Sequence, residues 1–393
     1  MSLPETEVLT DLVARVFRVE SVTRQETRHG MQIRYSGAFI GPDTAAAHAR
    51  LTADLRPYGI SAHFRRMRSD DFVVLVPAGP EPRPGRPSVN ILLFVLTVLS
   101  VMLAGSFMSV DQSSTGVGDG RSIVQRIASG WPFAASLLGI LLAHEFGHYL
   151  MSRHHGTPAT LPYFIPFPFS PLGTMGAFIS MQAVPRNKRV LFDIGVAGPL
   201  AGLVVAIPVL LLGLSLSSIS TIEPNPGGFL EGNSILYLLA KYAVFGRVLP
   251  SPAGGDAGLL YWAQYIITGR PVPYGGLDVF IHPVAFAGWA GLLVTALNLL
   301  PAGTLDGGHV VYSVLGEKAS RAFPFVLGGL LVLGWFWSGW WLWALLLVWL
   351  GRVHVEPLDQ VTPLNPARKL VAALVMLVFI LVFSPVPFMP LGS

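Results

Sequence analysis

The sequence predicts an α-helical polytopic membrane protein of six or seven spans, with a re-entrant β-hairpin and a small N-terminal α+β soluble domain. Three observations lead there. Of 393 residues, 52% are hydrophobic and only 12% charged, about half the charged share of an ordinary soluble domain. Beyond residue 88, long charge-free runs recur at the length a bilayer demands. One of them, residues 131–151, contains no ionisable side chains except His144, Glu145, His148 and Tyr149. Such groups at membrane depth are costly and functional by default.

Bulk composition removes several classes of function. A net charge of +4 is better explained by basic cytoplasmic loops than by nucleic-acid binding. The chain has no cysteine, which excludes disulfides and thiolate metal ligands. No signal peptide is expected, because the first 88 residues are polar and periodic. Insertion is then expected to begin at the first internal span.

Residues 1–76 read as the soluble domain. Val8, Leu9, Leu12, Val13 and Val16 give residues 5–16 helical periodicity. Residues 18–28 and 32–40 read as strands around a turn at Gly30, residues 44–55 as a second helix, and residues 60–67 and 72–76 as a closing hairpin. These elements predict a four-stranded sheet with helices on one face. The domain holds no cluster of Asp, Glu or His, so a regulatory or substrate-filtering module is expected. Residues 77–88 are rich in proline and read as a semi-rigid linker.

Residues 89–393 read as the membrane domain, with its core at 131–310. Residues 89–108 form the first span, and Arg83 and Arg86 before it place the N-terminus in the cytoplasm. Residues 131–152 run back inward, and Arg153 follows on the cytoplasmic side. Residues 161–185 are apolar but hold Pro162, Pro166, Pro168 and Pro171 ahead of a β-prone run, Gly173 to Met181. This pattern predicts a hairpin dipping into the membrane, which is tolerated only where it lines a cavity or packs on protein. Residues 193–216 form the third span. Residues 217–282 are external without being a clean span, and no role is assigned to them. Residues 283–300 form the fourth span. Residues 322–351 carry thirty residues without charge, with tryptophans near the middle. They read as two short helices joined at the external face, or as one long tilted span. Residues 370–388 form the last.

The organising stretch is His144-Glu145-Phe146-Gly147-His148. Two histidines four apart share one helical face, so both imidazoles reach one metal ion. Glu145 between them is placed to act as general base toward water at that ion. A catalytic zinc usually takes three protein ligands. Asp306, after the fourth span, is the best candidate for the third, with His309, His282, His154 and His155 as rivals. A strand near residues 176–181 could hold an unwound substrate segment by β-addition.

With these residues in view, the chain resembles the site-2 protease family of intramembrane zinc metalloproteases. The resemblance rests on His144 to His148, Gly173-Thr174-Met175-Gly176, Gly198-Pro199-Leu200-Ala201-Gly202, and Asn298 through Leu305-Asp306-Gly307. It covers about residues 130–310. It implies one Zn2+ per chain held by His144, His148 and Asp306, with Glu145 as the base and Asn298 orienting the substrate. Gly173, Thr174, Met175, Gly176, Ala177 and Phe178 are expected along the substrate path. The resemblance also implies cleavage of transmembrane segments of membrane-anchored proteins within the lipid bilayer. Seven residues separate Asn298 from Asp306, as in bacterial and plastid-type relatives, and no PDZ-like module is evident. The expected location is the plasma (inner) membrane of a bacterium. A membrane metal-binding or metal-transport protein is the competing reading. It is disfavoured by Glu145 and by the lack of repeated halves or of a polar path. Substrate identity, trigger and oligomeric state are not readable from the sequence.

Overall fold

The computed structural model describes residues 6–27, 30–67, 70–79, 85–108, 122–224, 228–253, 258–350 and 356–392. The N-terminal elements are helix α1 (Thr6–Ala14), strands β1 (Phe17–Thr27) and β2 (Gly30–Phe39), helix α2 (Thr44–Leu55), and strands β3 (Ile60–Met67) and β4 (Asp70–Pro77). They form an antiparallel sheet of order β1-β2-β4-β3. Period-2 alternation sends Ile60, Ala62 and Phe64 of β3 inward, with Val73 and Leu75 of β4. Leu9, Leu12, Val13, Leu51 and Leu55 of the two helices close that core. Asp43 caps α2 by accepting from the Ala46 N–H at 3.0 Å. The four-stranded sheet expected from the sequence is therefore present, with strand ends within a few residues of those expected.

This N-terminal unit is docked onto the rest of the chain and not merely tethered to it. Residues 358–360 run parallel to β3: the Phe64 N–H donates to Leu358 O at 2.9 Å, and the Gln360 N–H to Phe64 O at 3.0 Å. The other edge of the same segment pairs with residues 185–187, through Leu358 N–H to Pro185 O at 3.0 Å and Asp359 N–H to Arg186 O at 2.8 Å. Val361 enters the N-terminal core. Asp359, fully buried, accepts from the Val361 and Thr362 N–H groups at 2.8 and 3.0 Å. The free edge of β3 is thereby closed.

The remaining elements are α3 (Pro87–Met108), α4 (Ile123–Ser129), α5 (Trp131–His154), β5 (Tyr163–Pro166), β6 (Thr174–Phe178), α6 (Lys188–Ser215), β7 (Ser218–Thr221), β8 (Gly228–Glu231), α7 (Ile235–Phe245), α8 (Leu259–Thr268), β9 (Leu277–Phe280), α9 (Pro283–Asn298), α10 (Asp306–Leu315), α11 (Phe323–Leu333), α12 (Gly339–Leu350), α13 (Pro366–Val382) and β10 (Phe388–Leu391). Among the described residues, α3, α5 and α6 are long and apolar enough to cross a membrane; α7, α9 and most of α12 are shorter and apolar. Ile91, Leu92, Val95, Leu96 and Leu99 of α3 are exposed, as lipid-facing positions would be. Residues 322–351 do divide into two short helices. Part of the expected external loop at 110–130 lies outside the described residues, and its end forms α4.

Residues 161–173 are held by polar side chains of α3. Asn90 Nδ2 donates to the carbonyls of Leu161 and Pro162 at 2.8 and 3.0 Å, and Ser100 Oγ to Gly173 O at 2.6 Å. Backbone carbonyls buried away from water require such partners. β5 and β6 form a two-stranded antiparallel hairpin. Thr174 Oγ1 donates to Ile165 O at 2.8 Å, and the Gly176 N–H donates to Thr174 Oγ1 at 3.0 Å.

α5, α6 and α9 pack as the centre of the bundle. A Cβ on Gly213 would sit 2.1 Å from Ala285 N, so α6 and α9 meet backbone to backbone there. The stretch 217–282 forms two small sheets in addition to α7 and α8: β7 pairs with β9, and β8 pairs with the distant β10. It also buries a charged group. Lys241 on α7, fully buried, places Nζ 2.8 Å from Asp278 Oδ1 and 3.6 Å from Glu231 Oε1. Tyr237 OH donates to Glu231 Oε1 at 2.6 Å.

Candidate metal centre

His144 and His148 project from one face of α5, with ring centroids 4.9 Å apart and Nε2 atoms 3.2 Å apart. Asp306 opens α10 and brings Oδ2 to 3.4 Å from His144 Nε2 and 3.2 Å from His148 Nε2. The two glycines after Asp306 are a packing requirement. A Cβ on Gly307 would lie 2.0 Å from Leu299 O, and one on Gly308 would lie 2.4 Å from Gly303 O. Only bare backbone lets α10 start this close to the end of α9, and that start carries Asp306 to the histidines.

His148 is oriented from behind. Its Nδ1 lies 2.8 Å from the Ile194 carbonyl on α6. A carbonyl only accepts, so Nδ1 carries the proton and the Nε2 lone pair faces the site. The ring fits because residue 198 is glycine; a Cβ there would sit 2.1 Å from His148 Nε2. His144 packs on the next turn, against Gly202.

The three atoms are donors of the kind a metal takes, each within 3.4 Å of the others. Neighbouring ligands of a tetrahedral ion with bonds of about 2.0–2.1 Å lie about 3.3 Å apart. Two imidazoles and one carboxylate are also a donor set suited to zinc, with a coordination position to spare. The residues present therefore fit such an ion.

Glu145 is buried, at 5% exposure, and stands outside this trio. It lines a cavity of about 360 Å³ together with His144, His148 and Asp306. Ala177, Phe178, Ile179 and Met181 make one wall; Ile194, Gly195, Asn298, Thr304, Leu305 and His309 complete it. Asn298 Nδ2 lies 3.3 Å from His144 Nε2. Of the hairpin residues expected on the substrate path, Ala177 and Phe178 face this cavity. Gly173 is buried against Ser100 and Val101 of α3, Thr174 is buried with its hydroxyl bonded within the hairpin, and Met175 is 66% exposed outside the lining.

The rival ligands lie elsewhere. His282 caps α9, accepting from the Val284 N–H at 3.3 Å. His155 contacts Asp193 at 2.9 Å, and His154 is exposed. His309 lines the cavity one turn beyond Asp306 but is not in the converging trio. Sequence reasoning missed Ile194, whose contribution is a backbone carbonyl and leaves no side-chain signal. It also missed Asp193, although an acid at the head of an apolar run is a signal.

Comparison with known proteins agrees with this geometry. The family model of peptidase family M50 matches residues 132–327. A probable zinc metalloprotease of rice, the chloroplastic EGY1 of Oryza sativa subsp. japonica, is 31% identical over 76% of this chain and 50% of its own length. The EGY1 protein of Arabidopsis thaliana is 28% identical over 76% and 53%. A rice EGY2 protein, from Oryza sativa subsp. indica, is 31% identical over 65% and 42%. The chain spans about half the length of the first two relatives. No solved structure matches. The matched segment contains α5, the hairpin, α6, α9 and the start of α10, which together build the site. Through residues 132–327, this chain belongs to peptidase family M50.

Proposed function

We propose that the chain is a zinc-dependent endopeptidase that cuts transmembrane segments of membrane-anchored proteins. The observation that carries this reading is the convergence of His144, His148 and Asp306 beside the Glu145 carboxylate, within a bundle of apolar helices. His144, His148 and Asp306 would hold one zinc ion per chain. When bound, the ion supplies Lewis acidity, polarising the scissile carbonyl and acidifying the attacking water. Glu145 takes the proton from that water and returns it to the leaving amine.

A transmembrane helix must unwind before its carbonyls can be attacked. Among the described residues β6 pairs with β5 alone, so its other edge can take an unwound segment as an added strand. Ala177 and Phe178 then contact the segment, and the Asn298 amide orients its carbonyl. Gly173, Thr174 and Gly176 shape the strand from behind, and Met175 meets the substrate at the cavity mouth. Residues 1–76 act as a cytoplasmic filter for substrates, joined by residues 77–88 to the membrane domain, residues 89–393. In that domain α3, α5, α6, α9 and α13 cross the bilayer. α11 and α12 enter and leave from the cytoplasmic side, giving seven membrane segments. The proposed location is the plasma membrane of a bacterium; the named relatives are chloroplastic.

The test uses purified full-length protein and a model transmembrane substrate. Glu145→Gln is expected to retain one zinc and to cleave about 10²- to 10⁴-fold more slowly, since an amide cannot carry the proton. His148→Ala is expected to lose the metal. Cleavage by Glu145→Gln at the wild-type rate would remove Glu145 as the base, and absence of cleavage by the zinc-loaded wild type would remove the protease assignment.

A further inference from the structure

The carbonyl that orients His148 lies one residue beyond the most heavily tied side chain on α6. Asp193 Oδ1 accepts from Arg368 Nε at 2.8 Å, and Oδ2 accepts from Arg368 Nη2 at 2.6 Å and from His155 Nε2 at 2.9 Å. Arg368 stands in the first turn of α13, and His155 caps the C-terminus of α5. One carboxylate thus joins the helix bearing the two histidines, the helix behind them, and a third. A guanidinium fork on a carboxylate is directional as well as attractive.

Directional ties matter here because α6 is weakened at this level. Pro199 lies inside the helix and has no N–H, so the Gly195 carbonyl four residues earlier lacks its helical bond. Between Asp193 and Pro199 the helix presents Ile194 O to His148 Nδ1 and Gly198 to the face of the same ring. A shift of about 1 Å along the line of this 2.8 Å bond would take it beyond hydrogen-bonding range.

We propose that Asp193 is a positioning residue: anchored by Arg368 and His155, it sets the register of α6 on α5 and so aims His148 Nε2. It touches neither substrate nor the ligand trio and acts through Ile194. The inference rests on the reading of His144, His148 and Asp306 as zinc ligands.

Zinc affinity of the full-length protein, measured by competition with a chelator, tests it together with the absorption spectrum of the cobalt-substituted protein. Asp193→Ala is expected to bind zinc about tenfold more weakly and to change the cobalt spectrum, in the range found when outer partners of ligands are removed. Arg368→Ala should reproduce the effect. Arg368→Lys should restore only part of the affinity, because an ammonium lacks the fork. The double variant Asp193→Ala/Arg368→Ala should be no weaker than Asp193→Ala. Arg189→Ala removes a neighbouring tie from α6 to Pro363 O, at 2.9 Å, and should leave affinity and spectrum unchanged. If Asp193→Ala does not fold, Asp193→Asn, with similar volume and no charge, carries the same comparison with a smaller drop. Wild-type affinity and an unchanged spectrum in Asp193→Ala, or in Asp193→Asn where that is the folded variant, overturn the proposal. Failure of the wild type itself to bind zinc, matching Asp306→Ala, overturns the ligand reading instead.

Discussion

Two groups of buried ionisable side chains occupy this bundle, and they are built on opposite plans. Around α5, His144, His148 and Asp306 point three electron-pair donors at one spot and open onto a cavity of about 360 Å³. Around α7, Lys241 lies against Asp278 and Glu231, all three nearly or fully buried. The second group carries its own counter-charge; the first leaves that place for something brought from outside. Both groups are buried, so burial alone does not mark a reactive site. What distinguishes the α5 group is donors turned toward each other, beside space for a substrate, with a carboxylate standing apart from them.

That contrast is sharpest in how each group responds to losing a member. Lys241→Ala leaves two carboxylates facing each other in the interior and should lower unfolding stability by about 3–5 kcal/mol, as for other broken buried pairs. Zinc bound per folded molecule should stay at the wild-type level. Thermal unfolding in detergent with metal analysis of the folded fraction checks both halves, and zinc loss without destabilisation would erase the distinction.

Gly198→Ala presses on the α5 group through shape alone. The added methyl would overlap His148 Nε2, 2.1 Å from the ideal Cβ position, so the ring must turn. Zinc affinity is expected to fall about 10- to 100-fold, the range for displaced support of a metal ligand. Unfolding stability should change less than in Lys241→Ala. An affinity within a factor of two of wild type would mean that the ring is not confined as described.

The smallest expected effect lies outside the membrane, where titration replaces fixed charge. Burial, and after it the Arg65 guanidinium, holds the His63 imidazole down to about 4. Its unfolded value is near 6.5, so it is neutral in the fold and stability is fully present above that value. As pH falls from about 6.5 toward 4 the unfolded chain takes the proton first, and stability is lost. The loss is about 1.4 kcal/mol at pH 5.5. Hydrogen exchange in β3 and β4 of the full chain, corrected for intrinsic rates, should show it, and His63→Gln should remove it. Equal pH dependence in the two proteins would assign the effect elsewhere.

The sequence was informative where structure is local. The 3.6 period of Leu9, Leu12 and Val13, the apolar lengths of α3 and α5, and the prolines that forbid a helix at 161–171 each act within a few residues. His144 and His148 were legible for the same reason, since their meeting is a property of one helix. Asp306 was legible as a candidate from its place after the fourth span, on the side where the second span ends; its approach to His148 was not, because it depends on how α10 abuts α9. Gly173 and Thr174 were read as part of the substrate path; both are buried, Gly173 against Ser100 of α3, a tertiary contact that carries no local mark. The four-residue strands β7 to β10 were not foreseen. Each is too short for a period to register, and β8 finds its partner β10 in a segment more than 150 residues away.

The docking of residues 358–362 sets an order of events during synthesis. Arg65 waits for Leu358, 293 residues downstream, and Thr44 for Thr362, 318 downstream. At about 5–20 residues per second, the ribosome needs roughly 15–60 s to supply that segment. For all of that interval β3 has an unfilled edge, while α5 and the hairpin are already being made. Completion of the first domain is therefore among the last steps of assembly, and a nascent chain stalled before residue 358 presents a bare strand to any extended peptide nearby.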